Sequence, residues 1–521
     1  MEKKFYLTTP IYYVNDIPHL GHAYTTTATD IIARFERFLG KDVFFLTGTD
    51  EHGLKIQKAA EKKGLSPKEL VDSLVPMFKE LWKKLNISYD RFIRTTDSDH
   101  IKAVRHIFTK CYENGDIYLG EYEGWYCVPC ETYYTEKDLI EGNLCPMCKR
   151  PVEKIKEESY FFRLSKYEDK LLELYEKNPD FIKPDFRKKE VTNFVKQGLK
   201  DLSISRTGFT WGIPVPLNEN HVIYVWFDAL TNYLTAVGYP ENKEMTKNYW
   251  PADLHLVGKD ILRFHTIYWP AFLMSAGLDV PKEVFAHGWW TVEGEKMSKS
   301  KGNVINPYEL VEKFGVDRIR FFMFREVAFG MDGDFSYSKL VARINGELAN
   351  DLGNLFNRTL SMIKKYKGEI IPQPSGEITE IDKEIEKRAV ETFDAIKTLI
   401  PKAELTKALD KIWQFINFVN LYIDRTAPWN LNKEGKEELN RVLYNMVEAL
   451  RFITIFTSPF MPESGSKMAE MLNLDNDELK HESFKTWGNL KSGKKLNEPK
   501  ILFPRIEYNN GEVKIAKTKK G

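Results

Sequence analysis

Apolar and polar positions alternate over residues 4–9 (KFYLTT) as they do in a strand, and a loop (IYYVNDIP) then leads to His19-Leu20-Gly21-His22. Ile31, Ile32, Phe35, Phe38 and Leu39 recur with helical spacing up to Gly40, a residue suited to ending a helix. Residues 42–47 (DVFFLT) predict a second buried strand. Strand, loop, helix and strand in this order form the unit from which parallel sheets are built. Residues 66–115 read as mainly helical. From 116 to 215 the rhythm breaks into turns, paired cysteines, short strands and many charges, which predicts an insertion. Alternating order returns with VIYVWF (222–227), a helix to about 237, LHLVG (254–258), a helix near 262–276 and VFAHGW (284–289). Next comes a Gly- and Lys-rich loop at 293–303. From Tyr337 to 475 the period is helical, with Leu340, Ile344, Leu348, Leu352, Leu355 and Phe356 in one apolar stripe, as in a helix bundle. Residues 476–521 are charged and poor in aliphatics; they either pack back on the body or fray.

Composition narrows this picture. A chain of 521 residues exceeds what one core fills, so about three domains are expected. Lys plus Arg (76) balance Asp plus Glu (75), which argues against an unselective polyanion binder but leaves room for a basic patch. The chain has no apolar run of transmembrane length and no leader-like start, so a cytoplasmic protein without a membrane partner is expected. Four of the five cysteines fall in two tight pairs, which reads as metal rather than disulfide.

Three motifs carry chemistry. His19-Leu20-Gly21-His22 stands where the first strand hands over to a helix, the usual ligand site of an open α/β sheet. The helix N-terminus favours phosphate, Gly21 permits close approach, and histidines can donate to phosphate oxygens as charge builds. Lys296-Met297-Ser298-Lys299-Ser300, flanked by Gly294 and Gly302, can neutralise a pyrophosphate leaving group from a loop able to close. Cys127-Val-Pro-Cys130 and Cys145-Pro-Met-Cys148 offer four thiolates for one closed, structural zinc shell. Cys111 reads as a core residue. Neither the dinucleotide fingerprint nor the P-loop pattern is present.

HLGH and KMSKS together resemble the paired signatures of the class I aminoacyl-tRNA synthetases. The single four-cysteine knuckle and the blocks around Pro10–Tyr13, Gly48–Gly53, Tyr224–Ala229 and Gly258–His265 resemble the methionyl members, over nearly all of residues 5–475. The resemblance implies a Rossmann-like parallel-sheet catalytic domain in two halves, 1–115 and 216–336, split by a zinc-containing insertion at 116–215. An all-α anticodon-binding domain at 337–475 and a C-terminal extension at 476–521 complete it. The implied activity is ATP-dependent formation of methionyl-adenylate from L-methionine and transfer to tRNA(Met), the initiator included, with Mg²⁺ accompanying ATP and one structural Zn²⁺.

By matching position, the resemblance makes His19, His22, Lys296 and Lys299 catalytic and has ATP held by His19, Gly21, His22, Gly258, Asp260 and Lys299. Asp50 would pair with the substrate ammonium, in a pocket of Ile11, Tyr13, Trp226, Ala229, Tyr233, Ile261 and His265. Leu230 departs from the family's proline. Asn354, Arg358, Pro428 and Trp429 match the anticodon readers, with the Trp429 ring offered for stacking. The sequence stops without the extra C-terminal domain through which some members dimerise, so a monomer is expected. Two rivals stay open at this point. One is another class I synthetase, since one methylene in an apolar pocket changes binding by only ~1–3 kcal/mol. The other is a non-catalytic RNA-binding descendant, against which the intact signatures speak.

Overall fold

The computed structural model describes residues 3–515 apart from 131, 135, 141–142, 293, 297–303 and 510–511. Strand Lys4–Thr8 lies between Asp42–Asp50 and Leu254–Gly258, with Tyr6 opposite Phe44 and Leu7 opposite Leu254. Among the described residues the sheet has seven strands. Their order is Tyr12–Tyr13, Asp42–Asp50, Lys4–Thr8, Leu254–Gly258, Val284–His287 and Ile182–Lys183, with Arg91–Arg94 also pairing on Asp42–Asp50. All these pairings are parallel. The strand order reverses at the boundary between Lys4–Thr8 and Leu254–Gly258. Such a switch point leaves a crevice beyond the carboxyl ends of the strands, where open α/β sheets bind ligands.

Helix Leu20–Phe38 crosses from the first strand to the second and ends where Gly40 turns with φ +82°. Its inner face (Leu20, Tyr24, Ala28, Ile31, Ile32, Phe35) packs on the sheet in one continuous apolar core. That same core runs through helix Val316–Arg325 into the C-terminal helices, so sheet and bundle share an interior.

The insertion is built on a long antiparallel hairpin, Ile117–Cys127 against Glu153–Phe162, with the cysteine turns at its tip. Beyond the hairpin the structure departs from the sequence reading. Residues 164–195 form two helices, Glu168–Lys177 and Asp185–Val195, and between them Ile182–Lys183 joins the edge of the main sheet. VIYVWF is also not one strand. Asn218–Ile223 pairs in a small antiparallel sheet, and Val225–Leu230 is a helix. A short apolar run fits a buried strand and a buried helix equally, and here tertiary packing decides it after Ile223. The helix places Trp226 and Ala229 on one face, three residues apart.

The C-terminal region is helical, from Tyr337–Arg343 to Pro462–Met471. Leu340, Ile344, Leu348 and Leu352 are fully buried at intervals of four. In an α-helix that spacing drifts about 40° per step; the widened π-helical stretch Ile344–Gly353 compensates for the drift. Residues beyond 475 pack back: Phe484, Leu490, Leu496 and Phe503 are buried, and Tyr508 stacks on Tyr337 at 4.8 Å. Among the described residues no helix is long and apolar enough to cross a membrane.

Candidate active site and cysteine cluster

At the crevice His19 is the N-cap of helix Leu20–Phe38, and the two histidines cap it reciprocally. The Gly21 N–H donates to His19 Nδ1 at 3.1 Å, and the His19 N–H donates to His22 Nδ1 at 3.2 Å. Burial against the cleft walls lowers the pKa of His19 and puts that of His22 well below the ordinary value, so both rings are neutral near pH 7. A neutral ring whose Nδ1 accepts carries its proton on Nε2. Local folding thus leaves two Nε2–H donors at the positive end of a helix, an arrangement suited to phosphate. Gly21 is required here, since a Cβ would stand 2.9 Å from His19 Cε1.

A cleft of about 840 Å³ opens over these residues. It is lined by His19, Gly21, His22, Gly258 and Asp260, and also by Ile11, Tyr13, Asp50, Trp226, Ala229, Tyr233, Ile261 and His265. Asp50 ends its strand with a buried carboxylate, in register with Tyr13 on the neighbouring strand. Trp226 stacks on Phe264 at 3.8 Å. His265 Nδ1 lies 2.9 Å from the Ile261 carbonyl, which can only accept, so Nδ1 carries the proton. Nε2 then accepts from the Tyr233 hydroxyl at 2.7 Å. Burial lowers the His265 pKa to about 4, so this neutral chain holds at physiological pH. Leu230 lines the same wall.

The Lys296–Ser300 motif falls mostly outside the described residues; Lys296 is described only as backbone, in the two-residue strand Glu295–Lys296. Sequence reasoning passed over several residues. Trp289 Nε1 donates to Asp260 Oδ1 at 3.0 Å, Lys259 lies 4.2 Å over the Trp289 ring, and all three line the cleft. For Lys259 and Trp289, which the sequence reading did not single out, the signal was their position just past the carboxyl ends of Leu254–Gly258 and Val284–His287. Arg187 and Glu190, also in the lining, had no signal. Nor did the buried Asp228, which bridges His52 Nδ1 and His100 Nε2 at 2.7 Å each. Burial pushes the Asp228 carboxyl upward, but the two imidazoles outweigh it and hold the carboxyl below its usual value. This bridge fastens the loop after Asp50 to the helix that bears Trp226.

The Sγ atoms of Cys127, Cys130, Cys145 and Cys148 all lie within 4.8 Å of one another, with Cys127–Cys148 at 3.5 Å and Cys130–Cys145 at 3.8 Å. Zn–S bonds of about 2.3 Å in a tetrahedron require S···S edges near 3.8 Å, whereas a disulfide requires about 2 Å. The cluster can therefore hold a metal ion. Among the described residues, few apolar side chains other than the cysteines pack around it: Trp125, Tyr134, Leu139 and Val152. Cys130, Pro146, Met147 and Cys148 also form part of the cleft wall.

In the C-terminal helices, Asn354 is exposed and Arg358 lies one turn on, donating to Asp424 (3.1 Å) and to the Asn420 carbonyl (3.0 Å). Ala427, at φ +41°, turns the chain into Pro428–Lys433, and Trp429 is 45% exposed.

Comparison with known proteins agrees with this geometry. The model of the class I tRNA synthetases (M) matches residues 5–156 and 145–360, and that of the anticodon binding domain of methionyl tRNA ligase matches 371–517. The chain belongs to the methionyl-tRNA synthetase family. It is 56% identical to the methionine--tRNA ligase of Caldanaerobacter subterraneus subsp. tengcongensis, covering 99% of this chain and 81% of that one. It is 52% identical to that of Thermotoga maritima, covering 97% and 80%. The Mycobacterium tuberculosis methionyl-tRNA synthetase in complex with methionyl-adenylate superposes with a TM-score of 0.94 at 45% identity, covering 96% of this chain and 100% of that one. Members of this family are ligases, and Asn354 and Arg358 fall within the first match while Pro428 and Trp429 fall within the second.

Proposed function

We propose that this protein joins L-methionine to ATP, giving methionyl-adenylate and pyrophosphate, and then loads methionine onto tRNA(Met). The observation that carries the reading is one cleft that holds both a buried carboxylate in an apolar aromatic pocket and the two Nε2–H donors of His19 and His22.

Asp50 receives the substrate ammonium, and Ile11, Tyr13, Trp226, Ala229, Tyr233, Ile261 and His265 enclose the thioether, which packs well on aromatic rings. Gly258 and Asp260 hold the adenosine. A methionine carboxylate oxygen bonds to the α-phosphorus as the bond to pyrophosphate breaks. The His19 and His22 donors stabilise the charge gathering on the phosphate oxygens, and Lys296 and Lys299 take up the leaving pyrophosphate. A ribose hydroxyl of the tRNA end then attacks the methionyl carbonyl, releasing AMP and the hydroxyl proton. No side chain forms a covalent intermediate; positioning and fixed dipoles carry the rate. Mg²⁺ enters with ATP as part of the substrate.

Cys127, Cys130, Cys145 and Cys148 hold one Zn²⁺, a closed shell that stiffens the hairpin tip beside the cleft. Asn354 and Arg358 read anticodon bases, and Pro428 sets Trp429 to stack on one. The protein acts as a monomer in the cytoplasm.

The decisive experiment is ATP–pyrophosphate exchange with each of the twenty amino acids, with Lys299→Ala alongside. Exchange with methionine alone, lost in the variant, supports the reading. Exchange with another amino acid overturns the pocket assignment, and none at all in folded, zinc-loaded protein favours a non-catalytic RNA binder.

A further inference from the structure

Arg325 ends helix Val316–Arg325, and its guanidinium joins two helices of the C-terminal region. Nε donates to Glu347 Oε2 at 2.6 Å, Nη1 pairs with Asp410, and the guanidinium lies 5.7 Å over the Trp413 ring. Glu347 belongs to the widened segment that runs on into Asn354–Lys367. Asp410 belongs to Leu405–Thr426, the helix that ends at the Ala427 turn before Pro428 and Trp429. The same two helices are tied a second time, by Arg358 to Asp424 and Asn420. Between the two ties run about 15–21 Å of helix.

The other residues of Val316–Arg325 reach the catalytic side. Phe324 stacks on Tyr24 at 5.1 Å, and Tyr24 lies two residues past His22 and lines the cleft. Arg320, fully buried, donates to Asp30 Oδ2 (2.7 Å), on the same helix as His22, and to the carbonyls of Pro459 and Phe460 (2.9 Å each). Adjacent residues of one short helix thus touch a residue of the cleft wall, the helix that runs on into Asn354 and Arg358, and the helix that leads up to Pro428 and Trp429.

We propose that Arg325 is a positioning residue that couples tRNA engagement at Arg358 and Trp429 to the geometry of the His19–His22 helix. This rests on the proposed anticodon reading. An RNA base or phosphate that engages Arg358 competes with the exposed Asp424 for its donors, which changes the tie at one end of the helix pair. A planar guanidinium fork holding a carboxylate from each helix at the other end passes their relative shift to Val316–Arg325, and Phe324 carries it to Tyr24.

The test uses the full chain, as Arg325→Met and Arg325→Lys, with native tRNA and a tRNA whose anticodon bases are replaced. Methionine-dependent pyrophosphate exchange stays within about twofold of the parent, while the kcat of aminoacylation falls by about tenfold in Arg325→Met, inside the usual range of coupling between sites. KM for tRNA stays near the parent value, and the kcat preference for the native anticodon shrinks. Arg325→Lys, a single-point donor, falls between. Exchange and aminoacylation falling together would mark a merely structural residue and overturn the proposal, as would an unchanged kcat preference. An Arg358→Ala, Trp429→Ala double variant that binds tRNA as the parent does would remove the anticodon reading and the coupling with it. Weakened binding there, beside an intact kcat preference in Arg325→Met, would overturn the coupling alone.

Discussion

The imidazoles of His19 and His22 lie face to face, 3.8 Å between centroids and 19° from parallel, each with Nδ1 turned inward to a backbone N–H. Protonating either Nδ1 would remove a capping bond, and protonating both would place like charges in contact. Burial depresses both pKa values, so in the fold these rings protonate only below the ordinary imidazole value of 6.5, whereas in the unfolded chain they protonate at it. Their contribution to stability is therefore present above pH 6.5 and is lost as pH falls through the depressed values. Methionine activation is expected to hold through pH 6.5 and to fail only at more acidic pH. A pH profile of pyrophosphate exchange, with acid unfolding tracked in parallel, checks this; an inflection at or above pH 6.5 from these histidines would contradict it.

Gly21→Ala separates folding from chemistry. Alanine is the better helix former by about 1 kcal/mol, and Gly21 is not among the glycines at positive φ, so the helix itself tolerates the change. The new methyl meets the His19 ring at 2.9 Å and pushes it from its capping position. Losing one transition-state donor costs about 10²–10³ in kcat. We expect an activation rate lower by that order with Tm little changed, because the lost cap, about 1 kcal/mol, offsets the gain in helix propensity.

Much of this site was legible because its residues are close in sequence or carry chemistry that names itself. The histidine pair sits at a strand-to-helix handover, and paired cysteines at fixed spacing have few uses. What stayed hidden depends on long-range packing. Val225–Leu230 reads as strand until Tyr224 turns the chain. Asp228 gains meaning only when His52 and His100, 176 and 128 residues away, converge on it. The regular spacing of Leu340 to Leu352 reads as an ordinary helix, and the widened turn beneath it, which brings Glu347 to Arg325, leaves no mark in the sequence.

Tyr233→Phe keeps the ring stack on His255 at 4.1 Å and removes the hydroxyl proton that His265 Nε2 accepts. A buried acceptor left without its donor costs about 1–3 kcal/mol. His265 then loses one of its two restraints within the proposed methionine pocket. The expected result is a KM for methionine raised about tenfold, matching the lower part of that range, with KM for ATP unchanged. Equal changes in both constants would place Tyr233 outside the side-chain pocket.

Among the described residues the cysteine cluster has little apolar cover, so the proposed metal would be what holds its shape. Purified protein is expected to bind one zinc per chain by metal analysis, and Cys145→Ser to bind almost none. Because Cys130, Met147 and Cys148 help wall the cleft, the variant should lose methionine activation as well as gain protease cleavage within residues 117–162. Full activity in a metal-free variant would detach the knuckle from the site.

Trp429 gives the cleanest test of tRNA reading. Its ring is 45% exposed on a helix started by Pro428, so little packing is lost when it is truncated. Stacking of an aromatic ring on an unpaired base is worth about 1–3 kcal/mol. Trp429→Ala is therefore expected to raise KM for tRNA about 5- to 150-fold, the same energy expressed as affinity. Pyrophosphate exchange, which needs no tRNA, should not change, and neither should Tm. A tRNA with abasic anticodon positions should bind parent and variant alike, because it offers no base to stack on the ring. If the variant weakens both tRNAs equally, Trp429 contacts the backbone rather than a base, and the reading of the anticodon passes to Asn354 and Arg358 alone.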